Sequence, residues 1–310
     1  MTLKSLQIDS RSRLTPVWND KINSLMKNII NYPIIDLHVH LRDKVSFYSK
    51  QAKYSGLSIL ACMPNTNPCL DNLETIKQYL LVKNYTKIIP VSAITLGRKG
   101  KELVNIDKLK KHVLGFSDDG DCLMNLDLVK EALDKDVLLM VHLEPEVEMT
   151  RKYLQVLSKV KSGRLHIQHV SQKETVDLIR KAKKKGLSVT CETCPHYFTF
   201  DNEIEDKAVN PPLGNSQDIK AIKKGLADGT IDCIVSDFAP VPRPKNTGFA
   251  SFDAFIWLSY GLVLERTLTP QQLKEKLYLN PMKIIKQNLN PEILDSRPDG
   301  VRIWNDNNNL

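Results

Sequence analysis

Long apolar runs are missing from this sequence. The longest, Phe255 to Leu264, is interrupted by Ser259, Tyr260 and Gly261 and falls short of the roughly 20 residues that a membrane-spanning helix needs. The first twenty residues hold no apolar stretch of the kind a secretory leader carries, so a cytoplasmic protein is expected. Aromatic residues make up only 6% of the chain and do not interleave with the basic residues as a single-strand nucleic-acid groove requires. A second CxxC pair is absent. Cys191 and Cys194 stand alone with only His196 beside them, which leaves a structural zinc ribbon without its ligands. The six cysteines of a long chain without a leader are expected to be free thiols, and Cys62 and Cys233 lie where a strand would bury them.

Charge of one sign is not strongly dominant. There are 44 Lys and Arg against 36 Asp and Glu, a net charge of +8. That excess suits an anionic small molecule. The densest basic run, Lys181 to Lys185, closes a helical pattern just before Gly186, where cations complement the helix dipole. It reads as a solvated helix end. Neither nucleic acid nor a membrane is expected as a partner.

The chain has 310 residues, of which 42% are hydrophobic and 26% charged, an ordinary globular composition. Eight short β-rich apolar runs recur along it: Ile34–His40, Leu57–Met63, Ile88–Ser92, Val113–Ser117, Val137–His142, Leu165–His169, Leu187–Glu192 and Ile231–Ser236. Amphipathic helical patterns separate most of them. Ser171-Gln-Lys-Glu174 has the form of a capping box, with Val176, Ile179 and Ala182 on one face behind it and Gly186 as the stop. Asp71 with Glu74 marks another start, and Ile219, Ile222 and Leu226 form a further stripe. Strand and helix alternating at steps of about 25 residues describe parallel βαβ units. Eight of them close a (β/α)8 TIM barrel. A doubly wound open sheet is the alternative, but the first strand is not followed by the glycine-rich loop that many such sheets carry. The expected organisation is an N-terminal extension over 1–33 covering the barrel bottom, a barrel over 34–290, and a tail over 291–310, partly mobile and ending in the polar Asn305–Leu310.

Chemistry concentrates where strands end. In Asp36-Leu-His-Val-His-Leu-Arg42, alternation puts Asp36, His38, His40 and Arg42 on one side. Leu37, Val39 and Leu41 take the other side, which suits a helix layer, so the polar set points into the barrel. Two histidines at i and i+2 can reach one metal ion. His142 and His169 end later strands, Asp118 and Asp119 follow the fourth run before Gly120, and Asp237 follows the eighth. Polar residues at the C-terminal ends of barrel strands read as catalytic. Together these residue types suit two neighbouring divalent ions with nitrogen and oxygen ligands, most naturally zinc. His112 precedes the fourth run and His166 has the opposite parity to His169, so both are expected away from the site. His196 is expected to be structural or to lie behind the ligands. Arg42 can bind a carboxylate in fork geometry, and Asn65 in Met63-Pro-Asn-Thr-Asn-Pro68 can present an amide.

These motifs, with Gly115-Phe-Ser-Asp-Asp-Gly120, His142-Leu-Glu144, His169-Val-Ser171, Cys191-Glu-Thr-Cys-Pro-His196, Asn210-Pro-Pro-Leu213 and Ser236-Asp-Phe-Ala-Pro240, resemble the class I dihydroorotases of the amidohydrolase superfamily. They run in family order from residue 36 to residue 240. The resemblance implies a metal-dependent barrel that interconverts N-carbamoyl-L-aspartate and L-dihydroorotate in pyrimidine synthesis, with one or two zinc ions. It implies that His38 and His40 hold the more buried ion, that His142 and His169 hold the second, and that Asp237 binds the first ion and serves as general acid and base. Many relatives bridge the ions with a carboxylated lysine. This chain has no lysine there, and the resemblance to members that use an aspartate points to Asp118. Arg42, Asn65 and Asn210 would orient the substrate. A homo-oligomer is expected.

Three departures from the family pattern stand out. Its Asp-His-Ala-Pro-His run is Asp237-Phe-Ala-Pro-Val241 here, which removes a histidine expected at the substrate carboxylate; Arg243 is a candidate substitute. The loop before the last helix reads Thr247-Gly-Phe-Ala-Ser251. The terminal segments that build a β-sandwich in many relatives are short. Two other readings therefore stay open: a different cyclic-amide hydrolase such as dihydropyrimidinase or allantoinase, and a non-catalytic partner of aspartate carbamoyltransferase.

Overall fold

The computed structural model describes residues 30–203, 209–240 and 250–291. The chain divides between Tyr32 and Pro33, and only residues 30–32 of the first unit are described. The extension, Val241, Arg243, most of the 247–251 loop and the Asn305–Leu310 tail lie outside the described residues.

The second unit is built on parallel strands. β1 (Ile34–Val39), β2 (Leu57–Cys62) and β3 (Lys87–Pro90) pair in that order. β4 (Leu138–Val141), β5 (Arg164–Ile167), β6 (Val189–Thr193) and β7 (Cys233–Ile234) form a second parallel set. Segment 113–117 joins the two sets. Phe116 bridges to Ser92 on one side and to Leu139 on the other, with Ser117 N–H donating to Ser92 O at 2.8 Å and Met140 N–H to Phe116 O at 2.9 Å. The remaining seam closes where Val39 bridges Phe238 and His40 N–H donates to Phe238 O at 2.8 Å. Eight segments thus follow one another round a ring, as the eight apolar runs predict.

Gly115 shows why the joining segment has the sequence it does. A Cβ there would lie 2.7 Å from the carbonyl oxygen of Leu138, so only glycine allows the two backbones to approach this closely.

The helices pack their apolar stripes on the outside of the ring. In Lys173–Lys184 the buried face carries Val176, Ile179 and Ala182, and the chain turns at Gly186 with φ +76°. Ser171 does not cap this helix as its spacing with Glu174 suggests. Its hydroxyl bonds Glu146, whose carboxylate also accepts the N–H of Ser171 and of Gln172 (3.1 Å). A carboxylate from the preceding helix Glu146–Leu157 thus anchors the two residues before the helix, and the first helical N–H, that of Lys173, goes to Asp218 Oδ1 at 2.9 Å. The start expected at Asp71 is made one residue later, where the Asn72 side chain accepts Thr75 N–H. Among the described residues no helix is long and apolar enough to cross a membrane. All six cysteines are free, and Cys62 and Cys233 are buried.

Candidate metal centre

Strand β1 and the residue that follows it deliver two imidazoles. Leu37 and Val39 are fully buried on its outer side, and His38 and His40 are buried on the inner one. Asp36, on the same side, lies deeper and takes no part in the histidine cluster. Its Oδ1 accepts the N–H of His38 (3.2 Å) and of Ser236 (3.1 Å), which ties β1 to the chain leaving β7. Burial lifts its carboxyl to about 7.

Each of these two histidines is held from behind and points its other nitrogen inward. His40 Nδ1 lies 2.8 Å from Asn65 Oδ1, and His38 Nδ1 lies 2.7 Å from Glu192 Oε1. Their Nε2 atoms converge on two carboxylates. Asp237 Oδ1 lies 3.1 Å from His40 Nε2 and 3.5 Å from His38 Nε2. Asp119 Oδ2 lies 3.2 Å and 3.4 Å from the same two atoms. The other oxygen of Asp119 faces a second pair, 3.5 Å from His169 Nε2 and 3.9 Å from His142 Nδ1. Those two nitrogens are 2.9 Å apart. His38, His40 and Asp237 form one potential ligand set, and Asp119, His142 and His169 another.

Two further features fit a cation pair. The donor separations cluster near the edge of a tetrahedron with bonds of about 2 Å, which is roughly 3.3 Å. His38 Nε2 and Asp119 Oδ1 are buried and make no hydrogen bond, an arrangement that costs free energy unless something else satisfies them. The charges agree. Burial disfavours the ionised forms, but the facing Asp119 and Asp237 outweigh it, lifting His38 well above its usual range and His40 to about 9. Burial opposes ionisation of Asp237 as well, yet His38 and His40 pull it to about 2, and Asp119 is drawn well below the usual carboxylate range. His142 is lowered by burial and by its neighbour His169. A divalent ion would replace the protons that these histidines otherwise carry.

The position expected for Asp118 is taken by Asp119. Asp118 turns the other way. Its Oδ1 accepts the N–H of Ile94 (2.9 Å) and Thr95 (3.1 Å), and its Oδ2 takes the Thr95 hydroxyl. Ser117 Oγ reaches inward to Gln168 Oε1 (3.1 Å), so strand alternation sends residue 119 inward and residue 118 outward. That parity was available in the sequence.

Three non-glycine residues of the pocket have left-handed backbone: Arg42 (φ +50°), His169 (φ +34°) and Asp237 (φ +47°). Non-glycine residues adopt this region at a cost and only where their surroundings hold them there. At His169 it resets the alternation of β5, so His166 is also turned into the barrel, fully buried against Glu192 at 2.8 Å. The sequence reading left His166 away from the site and did not single out Glu192. Burial would raise Glu192, but His166 and His38 bring it down to about 2.

A third potential set, Cys194, His196 and Asp237, shares Asp237 with the first. It suits a metal poorly. Burial, then the charges of Asp237, Glu192, Asp36 and Asp119, hold the Cys194 thiol well above its usual range and keep it protonated. His196 is buried with its ring 4.2 Å from that of Tyr197.

The two principal sets border a cavity of about 270 Å3, lined by Arg42, Asn65, Asn210 and Ala239 as well as His40, His142, His169, Asp119 and Asp237. Asn65 has given its oxygen to His40, which leaves its amide hydrogens for a ligand. Asn210 Nδ2 lies 3.4 Å from His142 Nε2. Phe238 does not line this cavity. Its ring stacks on Phe252 at 4.0 Å and meets Tyr48 edge-on at 5.1 Å. This departure from the family pattern falls in packing.

Comparison with known proteins agrees with this arrangement. The Dihydro-orotase-like family matches residues 27–148. A dihydroorotase of Acetivibrio thermocellus is 34% identical over 310 residues, covering 81% of this chain and 72% of that protein. This chain belongs to the dihydroorotase family. The fold is shared more widely. The L-hydantoinase (dihydropyrimidinase) of Arthrobacter aurescens superposes with a TM-score of 0.73 at 17% identity, over 82% of this chain and 71% of that one. The dihydroorotase of Saccharomyces cerevisiae, solved with 5-fluoroorotic acid, gives 0.70 at 15% identity, over 82% of this chain and 84% of that one. These two likenesses concern the (β/α)8 barrel itself. Within the dihydroorotase family, a divalent metal fits the donor set described above.

Proposed function

We propose that this chain is a dihydroorotase, catalysing the reversible cyclisation of N-carbamoyl-L-aspartate to L-dihydroorotate with zinc held by His38, His40, Asp119, His142, His169 and Asp237. The observation that carries the reading is the placement of Asp119, one carboxylate facing both histidine pairs across 3.2–3.9 Å. Zinc bound here would supply Lewis acidity and make water nucleophilic near neutral pH.

The chain's own residues do the rest. The Arg42 guanidinium and the Asn65 amide bind and orient the substrate carboxylate, with Asn210 on the opposite rim. In the hydrolytic direction Asp237 takes the proton of the attacking water and delivers it to the ring nitrogen as the amide C–N bond breaks. In the biosynthetic direction it removes a proton from the carbamoyl nitrogen and returns it to the departing oxygen. A positioned carboxylate of this kind contributes on the order of 10²–10⁴ in rate.

Arg42 favours a carboxylated substrate over the neutral rings of dihydropyrimidinase-type enzymes. A complete ligand set disfavours a non-catalytic scaffold, which has no use for six convergent donors. Zinc content measured with dihydroorotate hydrolysis, against a panel of uncharged cyclic amides, tests the assignment. A metal-free, inactive chain, or one that prefers the uncharged rings, would overturn it. Cytoplasmic location and assembly as a homo-oligomer complete the proposal. A complex with aspartate carbamoyltransferase is the part to examine by adding that enzyme to the assay.

A further inference from the structure

Behind the candidate metal centre runs a buried chain of hydrogen bonds that reaches away from the substrate cavity. His38 Nδ1 meets Glu192 Oε1 at 2.7 Å, Glu192 Oε2 meets His166 Nε2 at 2.8 Å, and His166 Nδ1 meets Thr190 Oγ1 at 2.7 Å. His38, Glu192 and His166 are all fully buried. They come from β1, β6 and β5, so the chain spans the floor of the ring.

From this geometry we infer that His166 and Glu192 are positioning residues that act as one unit to fix the tautomer and orientation of His38. A carboxylate only accepts hydrogen bonds, so each imidazole nitrogen facing Glu192 carries the proton. Once its second proton is lost or displaced by a metal, His38 keeps the proton at Nδ1 and presents the lone pair of Nε2, which makes no hydrogen bond, toward Asp237 and Asp119. The Gln168 amide also approaches His38 Nδ1, at 3.1 Å, but donation from it would leave two acceptors facing each other at 2.7 Å. The same logic fixes His166. Its Nε2 proton goes to Glu192, and its Nδ1 accepts from the Thr190 hydroxyl. His166 anchors the second oxygen of Glu192, without which the carboxylate is free to rotate away from His38. Partners of this kind behind a ligating histidine typically govern metal affinity by 10–100-fold.

The inference rests on His38 being a ligand. The test is zinc affinity, by competition with a chromophoric chelator, for the wild type, Glu192→Gln, His166→Ala, the double variant and Thr190→Val. Nitrogen-15 histidine NMR of the metal-free proteins, at a pH high enough for His38 to be neutral, reads its tautomer directly. The expected result is a roughly 10- to 100-fold loss of affinity in each of the first two variants, with the double variant no weaker than Glu192→Gln alone. Thr190→Val keeps the side-chain volume and should fold if the others do not; a loss of several-fold with a mixed His38 tautomer is expected. Wild-type binding with zinc affinities within twofold across the folded variants, and an unchanged tautomer, would overturn the inference and leave the metal centre standing. A wild type that binds no zinc would overturn the centre, and this role with it.

Discussion

Asp118 receives the backbone N–H of Thr95 at 3.1 Å, and this bond keeps it out of the histidine cluster. The neighbouring carboxylate of Asp119 is left to face both histidine pairs. Two adjacent aspartates thus have different work: one anchors the 94–95 loop, and the other is offered to the metal. Substitution separates the two roles. Asp119→Asn should lower turnover by at least about 100-fold, with little loss of stability when both proteins are compared metal-free, because it removes a charge from the cluster. Asp118→Ala should cost about 1–3 kcal/mol in thermal or denaturant unfolding, because it strands the buried N–H groups of Ile94 and Thr95. The reverse pattern would return the bridging role to Asp118.

His38→Ala should abolish turnover. The ligand set loses its most buried member, and the carboxylates of Asp119 and Asp237 then repel each other across the gap. A steady-state assay of dihydroorotate hydrolysis checks this, and a fully active variant would contradict the assignment.

Arg42→Lys keeps the charge but loses the planar fork. It should raise KM for dihydroorotate by about 10- to 100-fold with a smaller change in kcat, since the guanidinium holds the substrate and takes no part in proton transfer. An unchanged KM would remove Arg42 from the carboxylate site.

Removing metal with a chelator should lower the melting temperature as well as abolish activity. A ligand that binds only the folded state stabilises by mass action, so restoring zinc should recover on the order of 5–10 °C. Differential scanning calorimetry of the stripped and reloaded protein measures it.

The thiols should be inert in the native state. Burial pushes Cys62, Cys69 and Cys191 up to about 12, and Cys122, Cys194 and Cys233 are raised as well. A thiol with a pKa near 12 is ionised at pH 8 to about one part in ten thousand. As pH rises toward 12 the thiolate fraction grows, so alkylation of the folded protein should be slow at pH 8 and accelerate with pH. Mass spectrometry should find six modified cysteines only after unfolding.

Gly115→Ala should destabilise the barrel by about 2 kcal/mol or more, because its Cβ would sit 2.7 Å from the Leu138 carbonyl oxygen. Thermal unfolding measures the loss.

Much of this protein was legible along the chain. Period-two runs with apolar outer faces and period-3.6 stripes mark the strand and helix segments, because those periods are properties of neighbouring residues. His38, His40, His142, His169 and Asp237 could be named since each falls at the end of such a run. Tertiary structure decided what depends on residues far apart in sequence. The joining of segment 113–117 to both sheets, the anchoring of Ser171 and Gln172 by Glu146, and the Glu192–His166 support behind His38 are contacts across 23 to 154 positions, and no local period encodes them. Alternation along a strand also misleads once φ turns positive. His169 does so at +34°, and the side-to-side rule that would have kept His166 out of the barrel no longer holds there.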